Sequence, residues 1–348
     1  MSNYSPPFVN TSKKSYFFVI PICVVTIYAL CHYYSPSRPL IYQEVSVDHE
    51  EFNFFIQRYG KSYTDNNEYA RRFMVFRDNL AYIRIWNSQN HSWTLGINQF
   101  ADLTISEVRA QHLNLFSSSQ NTYSNANNEA LRGSKYNSDQ IKAPSSVNWV
   151  SKGMVGPVIN EGQMGSSTTI VAANNVASVW AINGHSYTEL SYSELYDCVG
   201  NQASFGQYFD FIVKNGLTSA KNYASPLGTC NKAKVAQPVA TISSYVNVTP
   251  NSVSALENAL ALGPVSVAIE ADQPAFMYYQ SGVINSNCGT NVDHTLLAVG
   301  YDTTASVPYY LAQNSWGSGW GMSGYVQIGI QSGPGVCGIQ MYAVYPVV

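Results

Sequence analysis

Residues 313–321 have the sequence Gln-Asn-Ser-Trp-Gly-Ser-Gly-Trp-Gly, and residues 292–301 before them have the sequence Val-Asp-His-Thr-Leu-Leu-Ala-Val-Gly-Tyr. The short apolar runs within and beside these segments, bounded by glycines, predict buried strands. The same criteria predict strands at 264–270, 295–301, 309–314 and 324–330, and helices at 167–183, 191–197 and 205–215. A helical half followed by a β half predicts an α+β domain with a ligand cleft between the halves.

The overall composition limits the size and the class of the protein. The chain has 348 residues, of which 45% are hydrophobic and 11% charged, enough for two or three compact domains. Its net charge of −3 excludes the basic surface that nucleic-acid binding requires. Residues 144–348 contain ten acidic residues, five lysines and no arginine, so this part differs in charge from the part before it.

The N-terminal region contains a candidate membrane segment. Residues 16–34 carry no formal charge at neutral pH and are long enough to cross a bilayer as a helix, although a buried core helix is the disfavoured alternative. Lys13 and Lys14 precede it, so residues 1–15 are expected to be a cytoplasmic tail and the rest translocated. The sequence leaves open a cleaved signal peptide, but we expect a retained anchor. The translocated part would then lie in the secretory or endolysosomal system or outside the cell, where glycosylation at Asn90 and Asn247 is expected.

The region between residues 47 and 143 has its own helical pattern. Apolar residues recur at helical spacing from 47 to 87, and Gly60-Lys61-Ser62 interrupts them, which predicts two helices. Residues 95–100 alternate as a strand would, and Thr104 is expected to cap a further helix. Residues 114–143 are rich in Ser and Asn, which predicts an exposed linker that proteases cut.

Ten residues of this region stand at a distinctive spacing. Six follow the pattern E-x3-R-x3-F-x2-N-x3-I-x3-N, and four more follow G-x-N-x-F-x-D: Glu68, Arg72, Phe76, Asn79, Ile83 and Asn87, then Gly96, Asn98, Phe100 and Asp102. An amphipathic helix with a Glu/Arg pair explains Phe76 and Ile83, but it does not explain Asn79 or Asn87. The spacing resembles the inhibitory propeptide of the papain family (cathepsin L-like) cysteine proteases, which runs through the cleft and blocks it.

The resemblance implies a complete domain organisation. It predicts a propeptide at 48–112, a linker at 113–143 and a papain-like domain at 144–348. The expected fold is α+β with two subdomains, a helical half and a β-barrel-like half, preceded by the helical propeptide and the membrane segment. The expected partners are a peptide or protein ligand in the cleft, the chain's own propeptide, and the membrane through residues 16–34.

Three sequence blocks align with the catalytic blocks of the family. Residues 157–167 would hold the oxyanion glutamine, Gln163, and the nucleophile position, Ser167. His294 and Asn314 would be the histidine and the asparagine that orients it. In the family, a cysteine at a helix N-terminus is held as a thiolate beside the imidazolium, while the glutamine and a backbone N–H bind the oxyanion.

Ser167 departs from this pattern at its most important position. A serine hydroxyl forms no standing ion pair with a histidine, so its proton must leave during attack. Serine enzymes place a carboxylate behind the histidine, and replacing it with asparagine lowers turnover about 10⁴-fold. Thr168 and Thr169 replace the family's tryptophan and alanine, and its Cys-Asn-Gly-Gly block is missing from 199–207. Hydrolysis is therefore expected to be slow or absent.

Several interpretations remain open. The leading one is a pseudoprotease that binds peptides or proteins, and the alternative is a slow serine-type hydrolase using Ser167, His294, Asn314 and Gln163. Silica condensation, as in the papain-like silicateins with serine at this position, has no further support. Structural roles are the other alternative: a helix cap at Ser167, and core packing at His294 and Asn314. The sequence lacks the spacings typical of phosphate loops, dinucleotide sites and zinc sites, so neither a cofactor nor a metal is expected.

The six cysteines fall into two groups. Cys23 and Cys31 lie in the membrane segment. By resemblance to the family, the other four form two disulfides, Cys198 with Cys230 and Cys288 with Cys337. A third family bridge would use the position of Met164, and both of its partners are absent, which leaves no orphan thiol.

Overall fold

A computed structural model describes residues 40–113, 143–162, 166–224, 226 and 228–348. The chain divides into two compact units, residues 1–54 and 55–348, and helix α1, Leu40–Tyr59, begins in the first and ends in the second. Within the described residues, no helix is long and apolar enough to cross a membrane. The predicted tail and membrane segment, residues 1–34, and the linker residues 114–142 lie outside the described residues.

The predicted propeptide region folds around a long helix. After the predicted break, where Gly60 adopts a φ of 60°, α2 spans Asn66–Asn87, β1 spans Trp93–Leu95 and α3 spans Ile105–His112. The predicted Thr104 cap is confirmed, since its hydroxyl accepts the N–H of Glu107 and the Glu107 carboxylate accepts the N–H of Thr104.

The predicted strand at 95–100 is wrong beyond Leu95. Asn98 donates its side-chain amide to the Met277 carbonyl at 2.7 Å and accepts the N–H of Phe100 at 3.0 Å. Such local side-chain bonds compete with strand pairing, so the chain turns there although its sequence alternates. The two unexplained asparagines of the motif have similar roles, because Asn79 donates to Ala101 and Leu103 carbonyls and Asn87 bonds the backbone of Leu95.

The following part of the chain is a helical layer against a sheet. Its helices are α4 Ser167–Ile182, α5 Tyr192–Cys198, α6 Phe205–Asn215, α7 Lys232–Val235, α8 Val253–Leu262 and α9 Pro274–Met277. Its strands are β2 Ser146–Asn148, β3 Ser244–Asn247, β4 Val265–Ile269, β5 Tyr279–Ile284, β6 His294–Asp302, β7 Tyr309–Gln313, β8 Tyr325–Gly329 and β9 Ala343–Val347. All the helices and strands predicted beyond residue 143 are confirmed, while α7 to α9, β2, β3, β5 and β9 were not predicted.

The strands of the described chain form one sheet around β6. The order is β1-β5-β8-β7-β6-β4-β9-β3, with β2 also paired to β6, and every pair except β5 with β8 is antiparallel. Side chains of β6 alternate between two cores: Leu296 and Ala298 belong to one, Leu297 and Val299 to the other, which α4 also lines. Because both faces of β6 are covered, its sequence is continuously apolar.

Both predicted disulfides are confirmed. Cys198 and Cys230 are joined at an S–S distance of 2.01 Å, and Cys288 and Cys337 at 2.04 Å. The first ties the end of α5 to the segment before α7. The second ties the segment before β6 to the turn before β9.

Candidate active site

His294 and Asn314 are hydrogen-bonded to each other. His294 begins β6 and is fully buried, and Asn314 follows β7, the antiparallel neighbour of β6. His294 Nε2 lies 2.8 Å from Asn314 Oδ1, which also accepts the N–H of Ser315. Because that oxygen acts as the acceptor, Nε2 carries the proton and Nδ1 is the basic nitrogen. Burial lowers the pKa of His294 to about 4, so the ring is neutral at pH 7.

Trp316 packs against the histidine and connects it to a buried acid. The rings of Trp316 and His294 have centroids 4.7 Å apart. The indole N–H donates to Oε1 of Glu161 at 2.9 Å, and the Glu161 N–H donates to the Ser315 carbonyl at 2.8 Å. Glu161 is only 3% exposed. This burial raises the pKa of the Glu161 carboxyl to about 8, so the neutral form predominates at pH 7.

Ser167 is the first residue of α4 and is 7% exposed. A helix N-terminus provides unpaired N–H groups and a partial positive charge. Ser166 holds the N-cap position, but its hydroxyl bonds the Thr169 hydroxyl at 2.8 Å and makes no cap bond to a backbone N–H of the first turn. Gln163 lies outside the described residues, so its oxyanion role stays a prediction.

Residues of the predicted propeptide cover this cluster. Phe100 contacts Trp316 edge to face at a centroid distance of 4.8 Å, and the Gln99 side chain donates to the Trp316 carbonyl at 2.8 Å. His112 packs against Phe100 at 5.1 Å and makes a hydrogen bond with the backbone of Gly162. Burial lowers the pKa of His112, so this ring is also neutral at pH 7.

The same region is attached to the sheet beside the cluster. β1 pairs with β5, and Asn98 bonds the Met277 carbonyl. Arg109 forms an ion pair with Asp272 at 2.6 Å. Gly282 of β5 lies opposite Trp93 with a φ of 89°, and a Cβ there would collide with the backbone of Ser92 and Trp93. A glycine is needed at this position for the propeptide strand to approach.

Three residues of the cluster were not identified in the sequence: Glu161, Gln99 and His112. The sequence could have indicated Glu161 as a site residue, because it is the only acidic residue between positions 144 and 188 and lies within the block predicted to hold the nucleophile. Gln99 and His112 offered no such indication, because their contacts join segments far apart in the chain.

Two family models match the chain. The papain family cysteine protease model matches residues 143–347, and the cathepsin propeptide inhibitor domain (I29) model matches residues 52–108. A relative from Arabidopsis thaliana, the probable cysteine protease RDL6, is 34% identical, with 95% of this chain and 98% of that protein covered.

Solved structures of similar proteins share the fold. A recombinant stem bromelain precursor has a TM-score of 0.76 and 31% identity, covering 86% of this chain and 99% of that chain. The Carica candamarcensis cysteine protease CMS1MS2, in complex with E-64, has a TM-score of 0.55 and 32% identity, covering 59% of this chain and 98% of that chain. The predicted papain-like α+β fold is thereby confirmed.

Proposed function

The chain belongs to the papain family of cysteine proteases, and on that premise we propose that it binds peptides or partner proteins in its cleft and hydrolyses them slowly or not at all. The observation that carries this proposal is Ser167 at the start of α4, the position that we assign to the nucleophile. Ser167, His294, Asn314 and Gln163 are the proposed remains of the catalytic site.

The environment of His294 supports slow hydrolysis. A serine needs a base that gains a proton during attack, and a nearby negative charge stabilises the resulting imidazolium. His294 faces the neutral side chain of Asn314, and burial lowers its pKa to about 4. It is therefore a weak base for a hydroxyl of high pKa.

A slow serine-type hydrolase is the second candidate function. It is favoured by one observation, the orientation of the imidazole, since the bond from Nε2 to Asn314 leaves Nδ1 as the basic nitrogen. In that reaction Nδ1 accepts the Ser167 proton as Oγ bonds to a carbonyl carbon, and the π electron pair moves onto the carbonyl oxygen. As the carbonyl re-forms, the bond to the leaving group breaks and the leaving group takes the proton from Nδ1. Water then hydrolyses the acyl-serine ester and regenerates Ser167.

We further propose that the propeptide is this chain's own inhibitory ligand and that the cleft domain lies in the secretory or endolysosomal system or outside the cell. Two disulfides in residues 198–337 support an oxidising compartment. Anchoring through residues 16–34 and removal of the propeptide at the linker belong to the same proposal.

The proposal is tested with the full chain carrying a site for a specific protease in residues 114–142, cut after purification. A panel of fluorescein-labelled hexapeptides is assayed for binding by polarisation and for cleavage by mass spectrometry. We expect saturable binding with no cleavage, or with slow cleavage that Ser167→Ala abolishes. Rapid Ser167-dependent turnover would contradict the pseudoprotease, and absence of binding by every peptide would contradict both functions.

A further inference from the structure

Arg109 of the propeptide places its guanidinium on a carboxylate of the cleft domain. Nε and Nη2 of Arg109 lie 2.8 Å and 2.6 Å from Oδ2 of Asp272. The Arg109 side chain is 55% exposed, whereas the Asp272 side chain is only 7% exposed. The guanidinium therefore reaches a buried acidic group from the solvent side.

The Asp272 carboxylate is held in place by its neighbours. Its Oδ1 accepts the side-chain amide of Gln273 at 2.9 Å, and the same amide nitrogen donates to Oε1 of Glu270 at 2.7 Å. Oε2 of Glu270 accepts the N–H of Asn291 at 2.7 Å. Because Oδ1 of Asp272 is bonded within this loop, Oδ2 is the oxygen that binds a cation from outside it.

This carboxylate lies beside the candidate catalytic histidine. Ile269, the last residue of β4, pairs with His294 in the sheet, and Asp272 follows in the next loop. Asp293 precedes His294, and its Oδ1 accepts the Ala271 N–H at 2.7 Å. Asp272 is therefore within reach of a ligand that contacts His294.

The part of the chain that forms β3 to β9 has no basic residue to pair with Asp272. Residues 235–348 contain five acidic residues and neither lysine nor arginine. Burial, together with the adjacent Asp272 and Glu270, raises the pKa of Asp293 to about 7, as expected where acidic groups lie close together. In the intact chain Arg109 supplies the positive charge, so its departure with the propeptide leaves Oδ2 of Asp272 open to another cation.

We propose that Asp272 recognises a basic side chain, arginine foremost, of the peptide or protein bound in the cleft, and that Arg109 occupies this position in the intact chain. This inference rests on the proposed peptide-binding function and adds the class of ligand. A guanidinium is favoured because its planar donors bind a carboxylate at fixed geometry, as those of Arg109 do.

The test starts from the tightest hexapeptide of the labelled panel and places arginine, then citrulline, at each position in turn. Citrulline has the size and shape of arginine without its charge. We expect one position at which arginine raises the affinity for the linker-cut wild-type chain at least about tenfold over citrulline, as for a hydrogen bond to a charged group. Propeptide that stays bound competes equally with both peptides of a pair, so the ratio of their affinities is unaffected.

Two variants locate the preference. Asp272→Asn removes the charge and keeps the size of the side chain, so the arginine preference should disappear. Asp302→Asn is the matched control, because Asp302 ends β6 at the opposite end from His294. It should keep the wild-type preference.

The possible results separate the two proposals. Equal affinities for arginine and citrulline at every position, or an arginine preference that survives Asp272→Asn, overturn the recognition by Asp272 and leave peptide binding intact. Absence of binding by every peptide overturns the proposed function and this recognition with it.

A second measurement covers the case in which Asp272→Asn does not fold. The preferred arginine is replaced by lysine, and the complex with the linker-cut wild-type chain is treated with a carbodiimide, which joins an amine to a carboxyl in contact with it as an amide. A cross-link to Asp272, located by peptide mass spectrometry, supports the proposal. Absence of a cross-link at Asp272 overturns it.

Discussion

Nε2 of His294 donates a hydrogen bond to Oδ1 of Asn314 over 2.8 Å, and neither side chain carries a charge at pH 7. In a thiol protease the thiolate itself provides the negative charge that stabilises the imidazolium. With a neutral serine at the nucleophile position, that charge is missing. The geometry that suits a cysteine therefore leaves a serine without assistance.

Replacing Asn314 with aspartate should supply the missing charge. We expect Asn314→Asp to accelerate acylation of Ser167 by p-nitrophenyl acetate at least about tenfold in the linker-cut chain, because a carboxylate behind the histidine contributes up to about 10⁴-fold in serine triads. Release of p-nitrophenol measures the rate. Asn174→Asp, at another buried asparagine, controls for a buried charge as such. An unchanged rate in Asn314→Asp would show that Ser167 is not activated by His294.

Replacing Ser167 with cysteine should restore covalent reactivity. E-64 is bound by the similar protease CMS1MS2, so we expect Ser167→Cys to form an E-64 adduct, detected by mass spectrometry, after the linker is cut. The uncut chain should react at least about tenfold more slowly than the cut chain, because Phe100 and His112 cover the site. Ser167→Ala is the control. A cut Ser167→Cys chain that forms no adduct would show that the groove no longer accepts a peptide-like inhibitor.

Glu161 should make stability depend on pH. The pKa of Glu161 in the folded state is about 8, above the ordinary value of 4.5. The contribution of this residue to the free energy of unfolding is therefore fully present below pH 4.5 and is lost as the pH rises to 8. Relative to Glu161→Gln, the wild-type chain should lose up to about 1.4 kcal/mol per pH unit across this window. Urea unfolding from pH 5 to 8 measures the difference. The exposed Glu189 provides the control Glu189→Gln, and a constant difference between wild type and Glu161→Gln would contradict the raised pKa.

Asn98 should determine how firmly the propeptide is held. Asn98→Ala removes one of the two hydrogen bonds of the Met277 carbonyl, which keeps the Trp320 indole N–H as a donor, and leaves the Phe100 N–H without its partner. The cost is about 1–3 kcal/mol. After the linker is cut, we expect the propeptide to bind about ten- to a hundredfold more weakly, measured by its dissociation on dilution. The exposed Asn90 provides the control Asn90→Ala. Equal retention in both variants would show that Asn98 only shapes the turn.

The elements predicted beyond residue 143 were those with a continuous apolar pattern, such as α4 and β6. The turn at Asn98 was mispredicted as a strand because its side-chain bonds to backbone do not alter the alternation of apolar residues. Glu161 was not recognised because its environment is created by residues 315–316, more than 150 positions later. The histidine–asparagine pair was predictable only through family resemblance, since no local pattern brings the ends of two strands together.

The pairing of β1 with β5 affects how soluble the chain would be without its propeptide. While the propeptide is in place, its strand covers the outer hydrogen-bonding groups of β5 from Tyr279 to Gly282. If the propeptide dissociates, β5 becomes an exposed edge strand, and exposed edge strands pair with strands from other chains. A chain that lost its propeptide would therefore be more prone to self-association than the intact chain, and its solubility would depend on the segment that had been removed.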